Sequence, residues 1–133
     1  MAVREACAVY STRTREPVPG QGYTGTGGRI DETIGAPGAI RALDPTTGNA
    51  RWNFPIQDGS AAAGVLATAG GVVFASSADG NLIALEAANG KFLWQYQTGE
   101  RIKSSPISYA VDGKQYIAVS SGSVLFAFAL PQR

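Results

Sequence analysis

One pattern occurs twice in this chain, forty-two residues apart, and it limits the possible folds more than any other feature. Ala42-Leu43-Asp44-Pro45-Thr46-Thr47-Gly48 leads to Trp52, and Ala84-Leu85-Glu86-Ala87-Ala88-Asn89-Gly90 leads to Trp94. In both copies an apolar run ends in Ala-Leu-acid, a turn closed by Gly follows, and a Trp stands four residues after that Gly. The flanks agree as well, Gly38 with Gly80, Ile40 with Leu82, and Phe54 with Tyr96. The chain has two Trp, and both fall at this one position. A strand-built repeat of this period is the signature of a propeller blade.

The unit can be read from its residues. Positions 39–43 and 82–85 are short apolar runs that fit buried strands. In Asp44-Pro45-Thr46-Thr47-Gly48 the carboxylate can accept from backbone amides ahead of it, Pro presets φ, and Gly supplies a positive φ. The second copy ends in Asn89-Gly90, a hairpin signal. Return strands are expected over 49–54 and 91–97. Each Trp then lies on an outer strand and needs a cover, for which the neighbouring blade is the candidate.

This pattern resembles the tryptophan docking motif of the quinoprotein dehydrogenases, the alcohol and methanol dehydrogenases that use pyrroloquinoline quinone (PQQ). In that family Ala opens the motif, Gly sits seventh and Trp eleventh, as Ala42, Gly48, Trp52 and Ala84, Gly90, Trp94 do here. The stretch from Gly64 through Leu66-Ala67-Thr68-Ala69-Gly70-Gly71 to Phe74 also looks like the family's late-blade sequence. So does the ending, from Pro106-Ile107-Ser108-Tyr109 through Asp112-Gly113-Lys114-Gln115-Tyr116 to Pro131. The resemblance covers residues 37–131, and 1–36 more weakly. It implies an all-β fold, a partial quinoprotein-type β-propeller of about two and a half four-stranded antiparallel blades from an eight-bladed ring.

Residues 37–55 would end one blade, 62–98 would form a full blade, and 104–131 would give three strands of the last. Strands are expected at 38–43 and 49–54, then at 63–68, 71–77, 81–85 and 91–97, then at 105–110, 115–120 and 123–130. Residues 3–10 could add a strand to the first blade. Residues 11–36 carry many Gly, Thr, Pro and Arg without an apolar period and read as a long loop.

Length and composition exclude several classes. A chain of 133 residues is one domain by size and can bury a core. Net charge is +1 with 16% charged residues, which argues against nucleic acid as a partner. The lone Cys7 allows no internal disulfide, and the absence of His removes the usual general base and the commonest zinc ligand. No signal peptide is visible after Met1, and the apolar runs, broken by Gly and Ser, provide no membrane span. The resemblance implies the periplasm all the same.

Most acids stand singly at turns. Asp31-Glu32 is the only adjacent pair and reads as a solvated loop. Gly22-Tyr23-Thr24-Gly25-Thr26-Gly27-Gly28 lacks the strand and helix of a phosphate loop, and Arg13, Arg15 and Arg29 read as loop charges. Ser76, Ser77, Ser120 and Ser121 have no His partner and no elbow motif.

The resemblance implies PQQ, with calcium or a lanthanide as Lewis acid, and a cytochrome as electron acceptor. It places Ala62, Ala63 and Gly64 near the cofactor, where many relatives carry a Trp. The family's catalytic Asp and metal ligands come from earlier blades, and none maps here. The expected function is therefore a C-terminal fragment of a PQQ-dependent alcohol dehydrogenase-like oxidoreductase, inactive and binding no cofactor alone. Its partners would be the missing N-terminal blades, or other copies joined through edge strands. Two alternatives stand beside it: a non-catalytic quinoprotein-repeat scaffold of the kind that assembles outer-membrane proteins, and a small blade protein that self-associates into a ring.

Overall fold

The structure is a computed structural model, and it describes residues 1–4, 8–10, 16–23, 28–30, 38–56 and 63–131. Every regular element among them is a strand: β1 (Ala2–Arg4), β2 (Ala8–Tyr10), β3 (Gly28–Ile30), β4 (Gly38–Leu43), β5 (Ala50–Ile56), β6 (Leu66–Ala67), β7 (Val72–Ser76), β8 (Asn81–Glu86), β9 (Phe92–Gln97), β10 (Ile107–Val111), β11 (Lys114–Ser121) and β12 (Val124–Ala129). They form antiparallel sheets β1-β4-β5, β6-β7-β8-β9 and β10-β11-β12, with a separate ribbon β2-β3.

The strand that precedes the first sheet differs from the expected one. Residues 3–10 are not one strand: Ala2–Arg4 pairs with β4, while Ala8–Tyr10 pairs with Gly28–Ile30. Gly28–Ile30 therefore falls inside the stretch read as loop. A three-residue strand between Gly-rich flanks leaves no alternation to detect. β5 also runs past Phe54 through Pro55 to Ile56. It is the edge of its sheet, where a residue without an N–H is tolerated.

The two copies of the repeat fold alike down to single hydrogen bonds. The Asp44 N–H donates to Asn49 O and the Gly48 N–H to Asp44 O, each at 2.8 Å. Glu86 N–H to Lys91 O and Gly90 N–H to Glu86 O repeat them, also at 2.8 Å. Asn89-Gly90 is thus part of a wider turn closed from residue i to i+4, not a two-residue hairpin. Both copies then slip register, between Ala42 and Leu43 and between Ala84 and Leu85. This bulge skips Arg51 and Leu93 and brings Ala42 opposite Trp52 and Ala84 opposite Trp94.

Two apolar layers fill the space between the three sheets. Ile40 and Ile56 of the first sheet meet Ala75, Ile83 and Leu85 of the middle one, with Trp52, Phe54 and Val65 at the margin. On the other side Leu82 meets Ile102 and Val119, with Phe74, Phe126 and Phe128 around them. Alternation along β8 sends Ile83 and Leu85 one way and Leu82 and Ala84 the other, so this strand of the middle sheet is buried on both faces. Each fully buried Leu or Ile contributes roughly 1.5–3 kcal/mol.

Candidate functional site

Trp52 bridges the first and middle sheets. The Trp52 indole N–H donates to Ala87 O at 2.9 Å. Gly90 has φ of +75°, and a Cβ placed on it would stand 2.6 Å from Trp52 Cε3. A side chain at this position would meet both backbone strain and the ring, so Gly is required twice over. Ala42 lies opposite Trp52 across the β4–β5 ladder, and Phe54 stacks on Phe92 at 6.5 Å.

The outer positions of the same pattern have no such cover among the described residues. Gly48 has the same backbone conformation, φ +73°, but nothing lies within 4 Å of a Cβ built there. Trp94, paired with Ala84, is 39% exposed and meets Phe128 edge-on at 5.4 Å and Tyr96 at 6.2 Å.

Of the three positions singled out near the cofactor, Ala62 lies outside the described residues. Ala63 is buried, and Gly64 is exposed at the start of the inner strand. The Gly64 N–H donates to Ser105 Oγ at 3.0 Å, and a Cβ at Gly64 would collide with that hydroxyl. Ser105 escaped sequence reasoning because nothing in its neighbourhood marks a contact forty-one residues away. Its position just before β10, matching that of Gly64 before β6, is the one available signal.

Asp44, Asp79 and Glu86 are engaged within their own turns. Asp44 bonds Arg51 Nη2 at 2.8 Å and accepts from the Thr46 and Thr47 amides at 2.9 and 3.1 Å. The Arg51 guanidinium first, then the Thr47 and Thr46 amides, hold its carboxyl below the usual value. Asp79 accepts from Ser77 and Asn81, and Glu86 accepts from Asn89. Asp112 has φ of 50° and shapes the hairpin with Gly113. Glu5, Asp58, Asp31 and Glu32 lie outside the described residues, as do Cys7, Arg13 and Arg15, and the side chain of Arg29. Among the described residues, no three acid, Cys or His side chains could hold one metal ion.

The serines serve the connection between the second and third sheets. Ser121, 1% exposed, donates to Glu100 O at 2.7 Å, and its hydroxyl lies 2.7 Å from that of Thr98. Ser104 Oγ accepts from the Ser120 N–H at 2.8 Å and donates to Ser120 O at 3.1 Å. These bonds pin the segment carrying Ile102 across the third sheet. Ser76 Oγ is buried with no hydrogen-bond partner among the described residues.

Comparison with known proteins agrees with this geometry. Residues 36–130 match the family described as outer membrane protein assembly factor BamB. The quinoprotein ethanol dehydrogenase of Pseudomonas aeruginosa is 40% identical over 121 residues, which are 85% of this chain and 18% of that protein. The quinoprotein alcohol dehydrogenase PedE of Pseudomonas putida is 44% identical over 111 residues, 77% of this chain and 16% of that one. A europium-containing methanol dehydrogenase superposes with a TM-score of 0.79 at 29% identity, over 91% of this chain and 22% of the other. The three sheets are therefore blades of a partial propeller. The chain spans less than a fifth of the length of either curated relative.

Proposed function

This chain belongs to the PQQ-type repeat family that residues 36–130 match, and from that premise we propose that it forms late blades of an alcohol dehydrogenase-like quinoprotein. The observation that carries the reading is the Trp52 contact with Ala87 and Gly90, made by a motif that recurs in register and joins two blades. The identity to the ethanol and alcohol dehydrogenases supports the substrate class.

In this reading the complete protein oxidises alcohols in the periplasm and passes electrons to a cytochrome. PQQ and its metal would supply the hydride acceptor and the Lewis acid. The described residues do not fit the metal of that centre: among them no acid cluster is in reach of one ion. The share of this chain is structural. It keeps successive blades at a fixed spacing and fills the space between them with apolar side chains. A role as a non-catalytic assembly scaffold is the second reading, favoured by the description of the matching family.

Replacing the matching segment of the Pseudomonas aeruginosa relative with residues 36–130 tests the choice. Retained PQQ-dependent ethanol oxidation is the expected result. A chimera that folds but neither holds the quinone nor turns over would overturn the enzymatic reading and leave the scaffold.

A further inference from the structure

Two successive blades treat one buried polar position differently. Ser76 pairs with Leu82 and Phe74 with Leu66 in the middle blade; Ser120 pairs with Leu125 and Ala118 with Ile107 in the third. Ser76 therefore holds the place of Ser120, and Ala63, before the inner strand, holds the place of Ser104. In the third blade the Ser104 hydroxyl serves both main-chain groups of Ser120. It accepts from the N–H at 2.8 Å and donates to the carbonyl at 3.1 Å.

The middle blade has no such hydroxyl. The Ser77 N–H donates to Asn81 O and the Ala87 N–H to Gly71 O, so the odd-numbered residues of β7 bond to β8. Alternation turns the Ser76 N–H and C=O the other way, toward the side of β6, as it turns Val72 O toward the Thr68 N–H. Gly64 lies across from them by continuation of that register, and its N–H goes to Ser105 Oγ. Ala63 offers only a methyl group. No hydrogen bond among the described residues ends on these two main-chain groups or on Ser76 Oγ. Ser76 is 2% exposed, so bulk water does not reach them. Buried groups of this kind are rarely left unpaired.

We propose that Ser76 binds one internal water molecule, whose oxygen takes the place that Ser104 Oγ has in the third blade. The water accepts from the Ser76 N–H and donates to Ser76 O, as Ser104 does to Ser120, and its second hydrogen serves Ser76 Oγ. The inner strand β6 is two residues long, and the water adds a rung beyond Leu66. The inference stands apart from the enzymatic reading, since it uses no cofactor and no property of the complete protein.

Water–amide nuclear Overhauser measurements on the 133-residue chain test it, with Ala63→Ser supplying the hydroxyl and Ala75→Ser as control. The Ser76 amide should show contact with a long-lived water. Ala63→Ser should abolish that contact and leave the urea midpoint unchanged or higher. Ala75→Ser sets a hydroxyl among Ile40, Ile83 and Leu85 and should lower the midpoint. Absence of a long-lived water at Ser76 in the native chain would overturn the proposal. So would a crystal structure with a protein group bonded to the Ser76 N–H. A water contact that persists in folded Ala63→Ser would overturn it too, because the new hydroxyl would not share the site. If Ala63→Ser fails to fold, the native chain's amide contact and crystal structure decide.

Discussion

Trp52 and Gly90 lie thirty-eight residues apart, yet the ring of one occupies the space that a side chain on the other would need. The indole N–H completes the contact on Ala87 O. Burial of the ring and a hydrogen bond to a turn carbonyl act together here. The turn that provides the carbonyl is the same one that puts Gly at a positive φ.

The two Trp should report different surroundings. Trp52 is half-buried and hydrogen-bonded, while Trp94 is 39% exposed. In single-Trp variants, the chain retaining Trp52 should emit further to the blue and be quenched less by acrylamide. A redder, more quenchable Trp52 would contradict the assignment of cover to the first copy alone.

Equal positions in the repeat should differ in stability. Leu82→Ala removes a fully buried side chain and should cost about 2–5 kcal/mol in urea denaturation. Leu125→Ala, at the same place in the next blade, should cost less than about 0.5 kcal/mol. Similar losses at both would mean that the third blade is covered on its outer face.

Asp44 should make stability sensitive to acid. Its carboxyl is held below the ordinary value of 3.8 by Arg51 and by two amides. The stabilisation is therefore present above the unfolded value and is lost as pH falls through the lower folded value. Asp44→Asn should flatten the decline of stability below that ordinary value. Because the Arg51 partner is exposed, added salt should shrink the difference. An unchanged acid limb in the variant would show that the ion pair carries no such linkage.

The chain alone, given PQQ and calcium, should show no dye-linked alcohol oxidation above a cofactor-only control. Turnover well above that control would place catalytic groups in this chain that its described residues do not provide.

Much of this was legible because the repeat carries its own register. Two copies of Ala, Gly and Trp at one spacing were enough to mark the strands β4, β5, β8 and β9 and the turn between each pair, and to leave the neighbouring blade as the candidate cover for each Trp. What escaped has physical reasons. The pairing of Ala8–Tyr10 with Gly28–Ile30 joins two three-residue strands, too short for a period to show. The passage of β5 through Pro55 depends on its being an edge, a property of the assembled sheet. Gly64 and Ser105 meet only because two blades are stacked, and small polar residues signal nothing about distant partners. The exposed face with Leu125 reads in sequence as one more apolar strand, and alternation alone does not tell which side another blade covers.

A double-mutant cycle on Trp52 and Gly90 tests most directly whether this contact joins the blades. Gly90→Ala should be costly in the native chain, through both the ring and the positive φ. In a Trp52→Leu background only the strain of φ should remain, about 1 kcal/mol. The coupling between the two should exceed about 1 kcal/mol, while Gly48→Ala and Trp94→Leu, the same positions without their partners, should add within about 0.5 kcal/mol. Additivity at Trp52 and Gly90, with the folded state intact, would contradict the account.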